Sequence, residues 1–227
     1  MIACSGVKGS GKDAAASMFQ YCLSVPKIFR QYWLYKLVGR IIPKKWKVLA
    51  FADPLKRMLA ILLNVPIERF NDRSFKEDYS IDLNTLEYGL VSLQKDKKFL
   101  SDSKFTKMAK NLDPELKNYN LTIRQLLQYF GTEIAQTFFS KNVWINSTLK
   151  HAHDKTIIAD CRFIAEAEAI KKNQGMIFYI DRPGIGFGHH QSEKEMHQML
   201  TNGYYDHIIP NNGTLEDLFN QVKQVCA

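Results

Sequence analysis

The sequence predicts a three-layer α/β fold in which helices cover both faces of a parallel sheet. Short apolar runs of strand length alternate with segments of helix length, which is the pattern of successive β-α-β units. A glycine-rich loop joins the first predicted strand to the first predicted helix. Hydrophobic residues make up 45% of the chain and charged residues 24%, as in folded proteins. At 227 residues, we expect one domain spanning 1–227 that carries insertions.

Five segments have the apolar character of buried strands, namely 1–4, 47–51, 156–160, 176–180 and 207–210. Helices are predicted after them, over 13–19, 52–63, 163–173 and 214–226. Pro54 suits the first turn of its helix, and Thr214 is the expected cap of the last one. Insertions are predicted at about 26–46, which is basic and aromatic, and at about 80–120, which is polar and lysine-rich with weak periodicity; a mobile flap is the alternative for 80–120.

The first loop, from Gly6 to Lys12, has the G-x-x-x-x-G-K spacing of a phosphate-binding loop. Its glycines let the backbone N–H groups point inward, and Lys12 supplies a charge for the β- and γ-phosphates of ATP. The expected ATP-binding residues are Gly6, Lys8, Gly9, Ser10, Gly11, Lys12, Asp13 and Ala14. Asp13 stands where a Ser or Thr is common, so it is interpreted as a Mg²⁺ ligand or a helix-capping group. The alternative is a glycine-rich turn with no phosphate role.

Asp160 and Arg162 follow a predicted buried strand. The carboxyl ends of parallel strands form the edge where open α/β sheets bind ligands. Asp160 is therefore predicted to hold Mg²⁺ or its water, and Arg162 to reach phosphates. The alternative is a structural Asp–Arg ion pair.

Residues 122–133 are predicted to form an amphipathic helix, with Ile123, Leu126, Leu127 and Phe130 on its apolar face. Its polar face includes Arg124 and Gln128. A guanidinium group suits a monophosphate, and an amide suits a base edge. A solvated face without a ligand remains the alternative.

Residues 26–47 contain seven Lys or Arg residues and no acidic residue, with Tyr32, Trp33 and Tyr35 among them. A nucleic-acid or membrane-surface patch is one interpretation. An amphipathic insertion that packs its aromatic side chains on the core is the other. The second is favoured, because basic faces are usually only solvated.

The chain as a whole resembles the deoxynucleoside monophosphate kinases of tailed phages, including the T-even type. The matching segments are SGVKGSGKD at 5–13, FADPLK at 51–56, TIRQLLQYFGTE at 122–133, VWIN at 143–146, IIADCRFIAEAEAI at 157–170, YIDRPG at 179–184, HQSE at 190–193 and IIPNNGTLEDLF at 208–219. They occur in family order and reach both ends of the chain. Pro210-Asn211-Asn212 departs from the family pattern, and we expect that departure to lie away from the chemistry.

The resemblance implies a P-loop nucleoside monophosphate kinase fold that uses ATP and Mg²⁺. It places Lys56, Arg124, Gln128 and Trp144 on the acceptor-nucleotide side, with Arg73 and Lys76 as weaker candidates. It also implies a lid over about 182–205 that begins at Arg182 and contains His190 and Glu193. The implied catalytic set is Lys12, Asp13, Arg124, Asp160, Arg162 and Arg182.

The expected reaction is transfer of the γ-phosphoryl group of ATP to a deoxynucleoside monophosphate, with the accepted bases left open. A kinase for another phosphorylated acceptor, such as phosphomevalonate or dephospho-coenzyme A, is the first alternative. A nucleic-acid-binding protein with a vestigial phosphate loop is the second, and it rests on the net charge of +8. We expect no membrane partner, a cytoplasmic location, four reduced cysteines and a possible homodimer; nucleic acid is not favoured as a partner.

Overall fold

The computed structural model describes residues 1–82, 120–135, 139–188 and 191–226. In chain order the strands are β1 Ile2–Ser5, β2 Lys47–Leu49, β3 Ser80–Asp82, β4 Asn120–Thr122, β5 Thr156–Ile158, β6 Met176–Asp181 and β7 His207–Pro210. The α-helices are α1 Lys12–Ser24, α2 Tyr32–Val38, α3 Asp53–Leu63, α4 Arg73–Asp78, α5 Ile123–Gln128, α6 Val143–Leu149, α7 Ile164–Lys172, α8 Gln191–Thr201 and α9 Leu215–Val225. Short 3₁₀ helices occupy Lys27–Phe29 and Ile67–Asn71.

The chain divides into two compact units, of which the first contains Met1–Phe51 and Trp144–Ala227. Its sheet has the strand order β2-β5-β1-β6-β7, and every neighbouring pair is parallel. The predicted α/β fold with a parallel sheet is therefore confirmed. The central strand β1 lies between β5 and β6, so the chain reverses its direction of strand addition beside β1. Ligands of open α/β sheets bind at that point.

Two apolar clusters form the core of this unit. One joins β1 and β6 to helices α1 and α9, with Phe19 lying 4.8 Å from Phe178 between ring centroids. The other contains Ile158, Ile170, Ile177 and Met199. Apolar side chains on both faces explain why the strands read as continuous hydrophobic runs rather than as alternating ones.

The second predicted strand is two residues too long, because β2 ends at Leu49. Phe51 is buried, but its backbone N–H donates to the Asp160 carboxylate at 2.7 Å. Apolar character alone therefore extended the prediction past the last residue that pairs with β5. The other four predicted strands agree with the structure to within two residues at each end.

The second unit spans Ala52–Val143. Helices α4 and α5 pack against β4 of the antiparallel pair β3 and β4, and α3 packs against α5. Thr122 and Gln125 cap the start of α5 reciprocally, through the T-x-x-Q pattern of a capping box. The predicted continuous helix over 122–133 is wrong in its second half, since the α-helix ends at Gln128 and a π-helical turn follows over Tyr129–Ile134. Gly131 lies in that turn against Leu55, whose Cδ2 would have to shift to admit a methyl group.

The basic segment 26–47 packs only part of its aromatic side chains inward. The rings of Tyr32 and Tyr35 lie 5.7 and 5.5 Å from Phe219, so the favoured interpretation is right for them. It is wrong for Trp33, whose exposed fraction is 62%. Helical geometry explains the difference, because position 33 points away from the face shared by positions 32 and 35.

The predicted insertion at 80–120 lies outside the described residues except at its two ends. The single-domain prediction for 1–227 stays a prediction. Among the described residues, every helix is too short or too polar to cross a bilayer. Cys4, Cys22 and Cys161 are buried free thiols, and Cys226 is a partly exposed one.

Candidate active site

The glycine-rich loop connects the carboxyl end of β1 to the first residue of α1. It therefore lies at the point where the strand order reverses. Gly11 caps α1 without a side-chain hydrogen bond, so no side chain covers the N–H groups of the first turn from that position. N–H groups at a helix start and the positive end of the helix dipole attract anions, so the predicted phosphate site here is physically favourable.

Gly11 has a backbone conformation that other residues rarely adopt, with φ of +93°. A Cβ atom on Gly11 would lie 2.5 Å from Asn211 Nδ2. Gly9 also has positive φ, at +88°. The loop thus requires glycine at these two positions for backbone geometry, and at position 11 for space as well.

Lys12 is almost fully buried, with 6% of the residue exposed. Burial is the main cause that lowers the pKa of its ammonium group, and the positive charge of Arg162 acts in the same direction. The carboxylates of Asp13 and Asp160 oppose that shift. Lys12 Nζ lies 3.9 Å from Asp13 Oδ2, while 83% of the Asp13 side chain is exposed. The structure therefore brings Lys12, Asp13, Asp160 and Arg162 into one electrostatic neighbourhood.

Ser10 is fully buried, and its hydroxyl group has no hydrogen-bond partner among the described residues. A buried hydroxyl without a partner is unusual in a folded protein. Its position in a glycine-rich loop just before the start of α1 fits a site that gains its partner when a phosphate binds. This observation favours the phosphate-loop interpretation over a structural turn.

Asn211 is a residue whose importance the sequence reasoning missed. Its side chain is buried and donates from Nδ2 to the Ser10 carbonyl oxygen at 2.7 Å. Its backbone N–H donates to the Asp181 carbonyl at 2.7 Å, which continues the β6–β7 ladder. The expectation that the Pro210-Asn211-Asn212 departure lies away from the chemistry is therefore wrong, because Asn211 ties β7 to the phosphate loop. The sequence offered a signal only in the turn-forming pair that follows a strand.

Asp160 lies just beyond β5 and accepts a hydrogen bond from Phe51 N–H. Arg162 is exposed, two residues further along. Glu166, which was not predicted, is buried and accepts from the backbone N–H groups of Arg162 at 2.7 Å and Phe163 at 3.1 Å. Burial, followed by the charge of Asp160, raises the pKa of Glu166 to about 8. Its carboxyl group fixes the backbone from which Arg162 projects.

Glu195, on helix α8, accepts a hydrogen bond from the backbone N–H of Ile164 at 3.0 Å. It thereby caps α7 beside Glu166, so two carboxyl groups hold the turn that follows Arg162. Capping of a helix start by a residue distant in the chain gives no local sequence pattern. Sequence reasoning had no means of finding it.

Arg182 is exposed and donates weakly to the Gly9 carbonyl oxygen, at 3.4 Å. Ile185 lies against Gly9, at 3.4 Å from the position a Cβ would take. The start of the predicted lid thus borders the phosphate loop. Lys8 is exposed in the same loop and makes an interaction of its own. His190 lies outside the described residues, and the lid over 182–205 stays a prediction.

The acceptor-side candidates of the second unit either belong to the segment from Asn71 to Glu77 or contact it. Arg124 forms an ion pair with Glu77, at 2.8 Å from Nη2 and 2.9 Å from Nε. Lys56 donates to Asn71 at 3.1 Å and lies 3.5 Å from Asp53. Arg73 and Lys76 belong to helix α4 in this same stretch. The structure therefore clusters the four predicted cations within this unit.

Gln128 is exposed at the last position of α5. Trp144 belongs to the first unit, where it is partly buried on helix α6. Both side chains make interactions within the protein. Their predicted roles toward the acceptor nucleotide stay predictions.

Comparisons with known proteins agree with the site geometry. The family model for deoxynucleotide monophosphate kinase matches residues 74–222. The chain belongs to the deoxynucleotide monophosphate kinase family. The resemblance and the type of reaction that the sequence predicted are thereby confirmed at the level of the family.

Two viral relatives of this kinase family carry the corresponding names. A putative deoxynucleotide monophosphate kinase of Acanthamoeba polyphaga mimivirus is 30% identical over 125 residues, which cover 48% of the chain and 63% of that protein. The deoxynucleotide monophosphate kinase of Enterobacteria phage T4 is 22% identical over 260 aligned residues, 98% of the chain and 97% of that protein. The first match spans less than two thirds of its relative, and the second spans nearly all of it. Because the family model begins at residue 74, the phosphate loop rests on its motif and on the geometry above.

Proposed function

We propose that this chain transfers the γ-phosphoryl group of ATP to a deoxynucleoside monophosphate and releases the diphosphate. Membership in the deoxynucleotide monophosphate kinase family supports the reaction type. The observation that carries the proposal is the loop after β1, where buried Lys12 and the unpartnered Ser10 hydroxyl stand at the start of a helix.

The ATP phosphates are assigned to the N–H groups of this loop and to Lys12. A lysine with little water around it interacts strongly with a phosphate, because the surrounding dielectric constant is low. Lys8, Arg162 and Arg182 are assigned to the same polyphosphate. Arg162 is suited to this role because Glu166 accepts from its backbone N–H and Glu195 accepts from the N–H of Ile164, two residues later. These bonds fix the backbone position from which the guanidinium group extends.

Asp160 and Asp13 are the residues assigned to Mg²⁺. Hard oxygen donors suit this ion, which typically takes only one or two protein carboxylates and completes its shell with water and phosphate oxygens. Asp13 meets this requirement through its 83% exposed carboxylate, and Asp160 through its place at the strand edge. When bound, Mg²⁺ neutralises phosphate charge.

The acceptor phosphate is assigned to Arg124, with Lys56, Arg73 and Lys76 as supporting cations. The ion pair of Arg124 with Glu77 already orients its guanidinium group, which can then engage a phosphate through two parallel hydrogen bonds. The acceptor oxygen is ionised at neutral pH and attacks directly, so the protein needs no strong base. Catalysis then consists of positioning and charge neutralisation.

Replacing Lys12 with alanine tests the ATP side. We expect kcat to fall about 100-fold or more while the fold survives, because one preorganised charge on the transferred group is lost. ADP release in the presence of a deoxynucleotide measures turnover, and circular dichroism checks folding. Lys172→Ala is the matched control, since Lys172 is an exposed lysine at the end of α7. Near-normal turnover by Lys12→Ala would sink the proposed role of the loop.

Replacing Arg124 with lysine tests the acceptor side. We expect KM for the deoxynucleotide to rise about tenfold or more with KM for ATP unchanged, since lysine cannot make the paired hydrogen bonds. Arg57→Lys is the control, because Arg57 is an exposed arginine of α3 in the same unit. Equal acceptor KM values for the two variants would remove Arg124 from the acceptor site.

A panel of deoxynucleotides and ribonucleotides with ATP defines the acceptor. Stimulation of ADP release by one or more deoxynucleotides is expected. If no nucleotide stimulates release and another phosphorylated acceptor does, the first alternative replaces the proposal. Binding to DNA that weakens steeply with salt, together with no ATP turnover, would support a vestigial phosphate loop instead.

A further inference from the structure

The segment from Lys27 to Lys47 carries almost all of the net charge of the chain. Residues 26–47 contain seven cations and no acidic residue, and the whole chain has a net charge of +8, which leaves +1 for everything else. Arg30 points inward and donates to the Cys226 carbonyl at 2.6 Å. The other six cations are exposed: Lys27, Lys36, Arg40, Lys44, Lys45 and Lys47.

The same segment also exposes five large apolar side chains. Their exposed fractions are 76% for Ile28, 52% for Phe29, 62% for Trp33, 71% for Leu37 and 78% for Ile41. Trp33 and Leu37 are four residues apart on helix α2 and so lie on one face. Single exposed apolar residues are ordinary, but five within fifteen residues mark an interaction surface. We call the exposed residues of 27–47 the basic–apolar surface.

The basic–apolar surface is fixed to the core of the first unit. Three hydrogen bonds hold its ends: Tyr21 Oη donates to the Phe29 carbonyl at 2.6 Å, Gln20 Nε2 to the Trp46 carbonyl at 2.8 Å, and Lys45 N–H to Ser24 Oγ at 3.1 Å. Between them, Tyr32 and Tyr35 pack on Phe219. The segment buries its own set of apolar side chains and holds Ile28, Phe29, Trp33, Leu37 and Ile41 outward, so their exposure does not come from a loosely packed loop.

We propose that the basic–apolar surface binds the interface of an anionic phospholipid bilayer. Tryptophan, phenylalanine, leucine and isoleucine side chains enter the boundary between headgroups and acyl chains, while lysine stems reach back so that their ammonium groups meet the anionic headgroups. The surface supplies both of the attractions that stable peripheral binding needs, apolar insertion and a cluster of cations. This departs from the expectation of no membrane partner, and it requires no spanning helix.

Charge and composition favour a bilayer over the other occupants. A second copy of the chain would oppose six exposed cations with six more, which is repulsive. Lysine is depleted in protein–protein interfaces, yet five of the six exposed cations here are lysines. Nucleic acid would stack on Phe29 and Trp33, but it offers no partner for aliphatic Ile28, Leu37 and Ile41.

Co-sedimentation of the full chain with vesicles tests the proposal. One set of vesicles contains equal parts of phosphatidylcholine and phosphatidylserine, and the other contains phosphatidylcholine alone. We expect sedimentation with the first set, little with the second, and release by added salt. Binding should also shift the emission of exposed Trp33 to shorter wavelength, and Trp33→Phe should remove that shift.

Two double variants separate the two attractions. Lys44→Gln with Lys45→Gln should weaken partitioning about 20- to 30-fold, since each cation near an anionic surface contributes roughly fivefold. Ile28→Ser with Leu37→Ser should weaken it at least about tenfold. The matched controls are Lys150→Gln with Lys172→Gln, and Ile61→Ser at a side chain that is 80% exposed; both should bind as the unmodified chain does.

Three results would overturn the proposal. The first is absent binding, or equal binding to both sets of vesicles. The second is an equal loss of binding in the control variants, which would show that any surface change suffices. The third is that another partner occupies the surface. This would be seen, without vesicles, as binding of a single-stranded oligonucleotide or as dimer formation that Ile28→Ser with Leu37→Ser abolishes. Kinase turnover should be unchanged in these variants whatever the vesicle result, because none of the substituted residues is assigned to ATP or to the acceptor.

Discussion

The hydrogen bond from Asn211 to the phosphate loop is the contact whose removal is most informative. Asn211→Ala deletes the donor to the Ser10 carbonyl oxygen and leaves that buried acceptor without its partner. It also removes the amide group that lies beside Gly11. The loop would then lose its connection to β7, although no atom that is assigned to ATP would change.

The expected size of the effect follows from the burial of this contact. Leaving a buried backbone acceptor unsatisfied costs about 1–3 kcal/mol. For a chain of this size, each kcal/mol corresponds to about 2–4 °C in Tm, so Tm should fall by about 2–12 °C. KM for ATP should rise about five- to 150-fold if that free energy is spent in ordering the loop around the phosphates, with a smaller change in kcat.

The assay is thermal unfolding with and without ATP, combined with steady-state kinetics at varied ATP. Asn212→Ala is the matched control, because Asn212 is the exposed neighbour of the same residue type. Asn211→Asp, which keeps the shape but loses the donor, should impair ATP binding at least as much as alanine, since an acceptor would face the Ser10 carbonyl. Identical Tm and KM for the Asn211→Ala and Asn212→Ala variants would refute the reasoning.

Two further outcomes follow from the site. Gly11→Ala should lower the free energy of unfolding by about 1–2 kcal/mol for the positive φ alone. It should also abolish the thermal stabilisation that ATP gives, because the new methyl group displaces Asn211. Full stabilisation of this variant by ATP would contradict the second expectation. Burial raises the pKa of Glu166 from the ordinary value of 4.5 to about 8, so the folded state binds the proton more tightly than the unfolded state does. The free energy of unfolding should therefore fall as pH rises from about 5 to 8. Urea unfolding across that range should show the free energy of unfolding declining by up to about 1.4 kcal/mol per pH unit, and Glu166→Gln should remove this decline. The same pH dependence in the variant and the unmodified chain would show that Glu166 is not the group responsible.

Local sequence patterns predicted the parts of the site that local geometry determines. The strand, loop and helix from Ile2 to Ser24 are contiguous, and the glycine spacing sets the backbone conformation by itself. Asp160 and Arg162 were found because the carboxyl ends of parallel strands share one edge of the sheet. The cap at Thr214 and the first-turn position of Pro54 could also be predicted, because a helix start leaves a sequence pattern within four residues.

Contacts between distant parts of the chain could not be read from the sequence. Asn211 and Ser10 are 201 positions apart, and Glu195 caps a helix 31 positions before it. Glu166 stands three residues after the N-cap Phe163, but no local pattern shows that it is buried while Glu168 on the same helix is exposed. A hydrophobic pattern likewise could not show that Gly131 lies against Leu55 within a π-helical turn, because Leu55 lies in another helix.

The distribution of charge separates two features that the net charge of +8 had merged. At the phosphate loop, the charge of Lys12 is partly offset by Asp13 and Asp160, and Lys8, Arg162 and Arg182 are the other cations assigned to ATP. The excess itself belongs to residues 26–47, outside the residues assigned to ATP and to the acceptor. The isoelectric point of the chain is therefore no measure of its affinity for nucleotides, and the apolar side chains among those cations are the reason why we propose an anionic bilayer as a second partner.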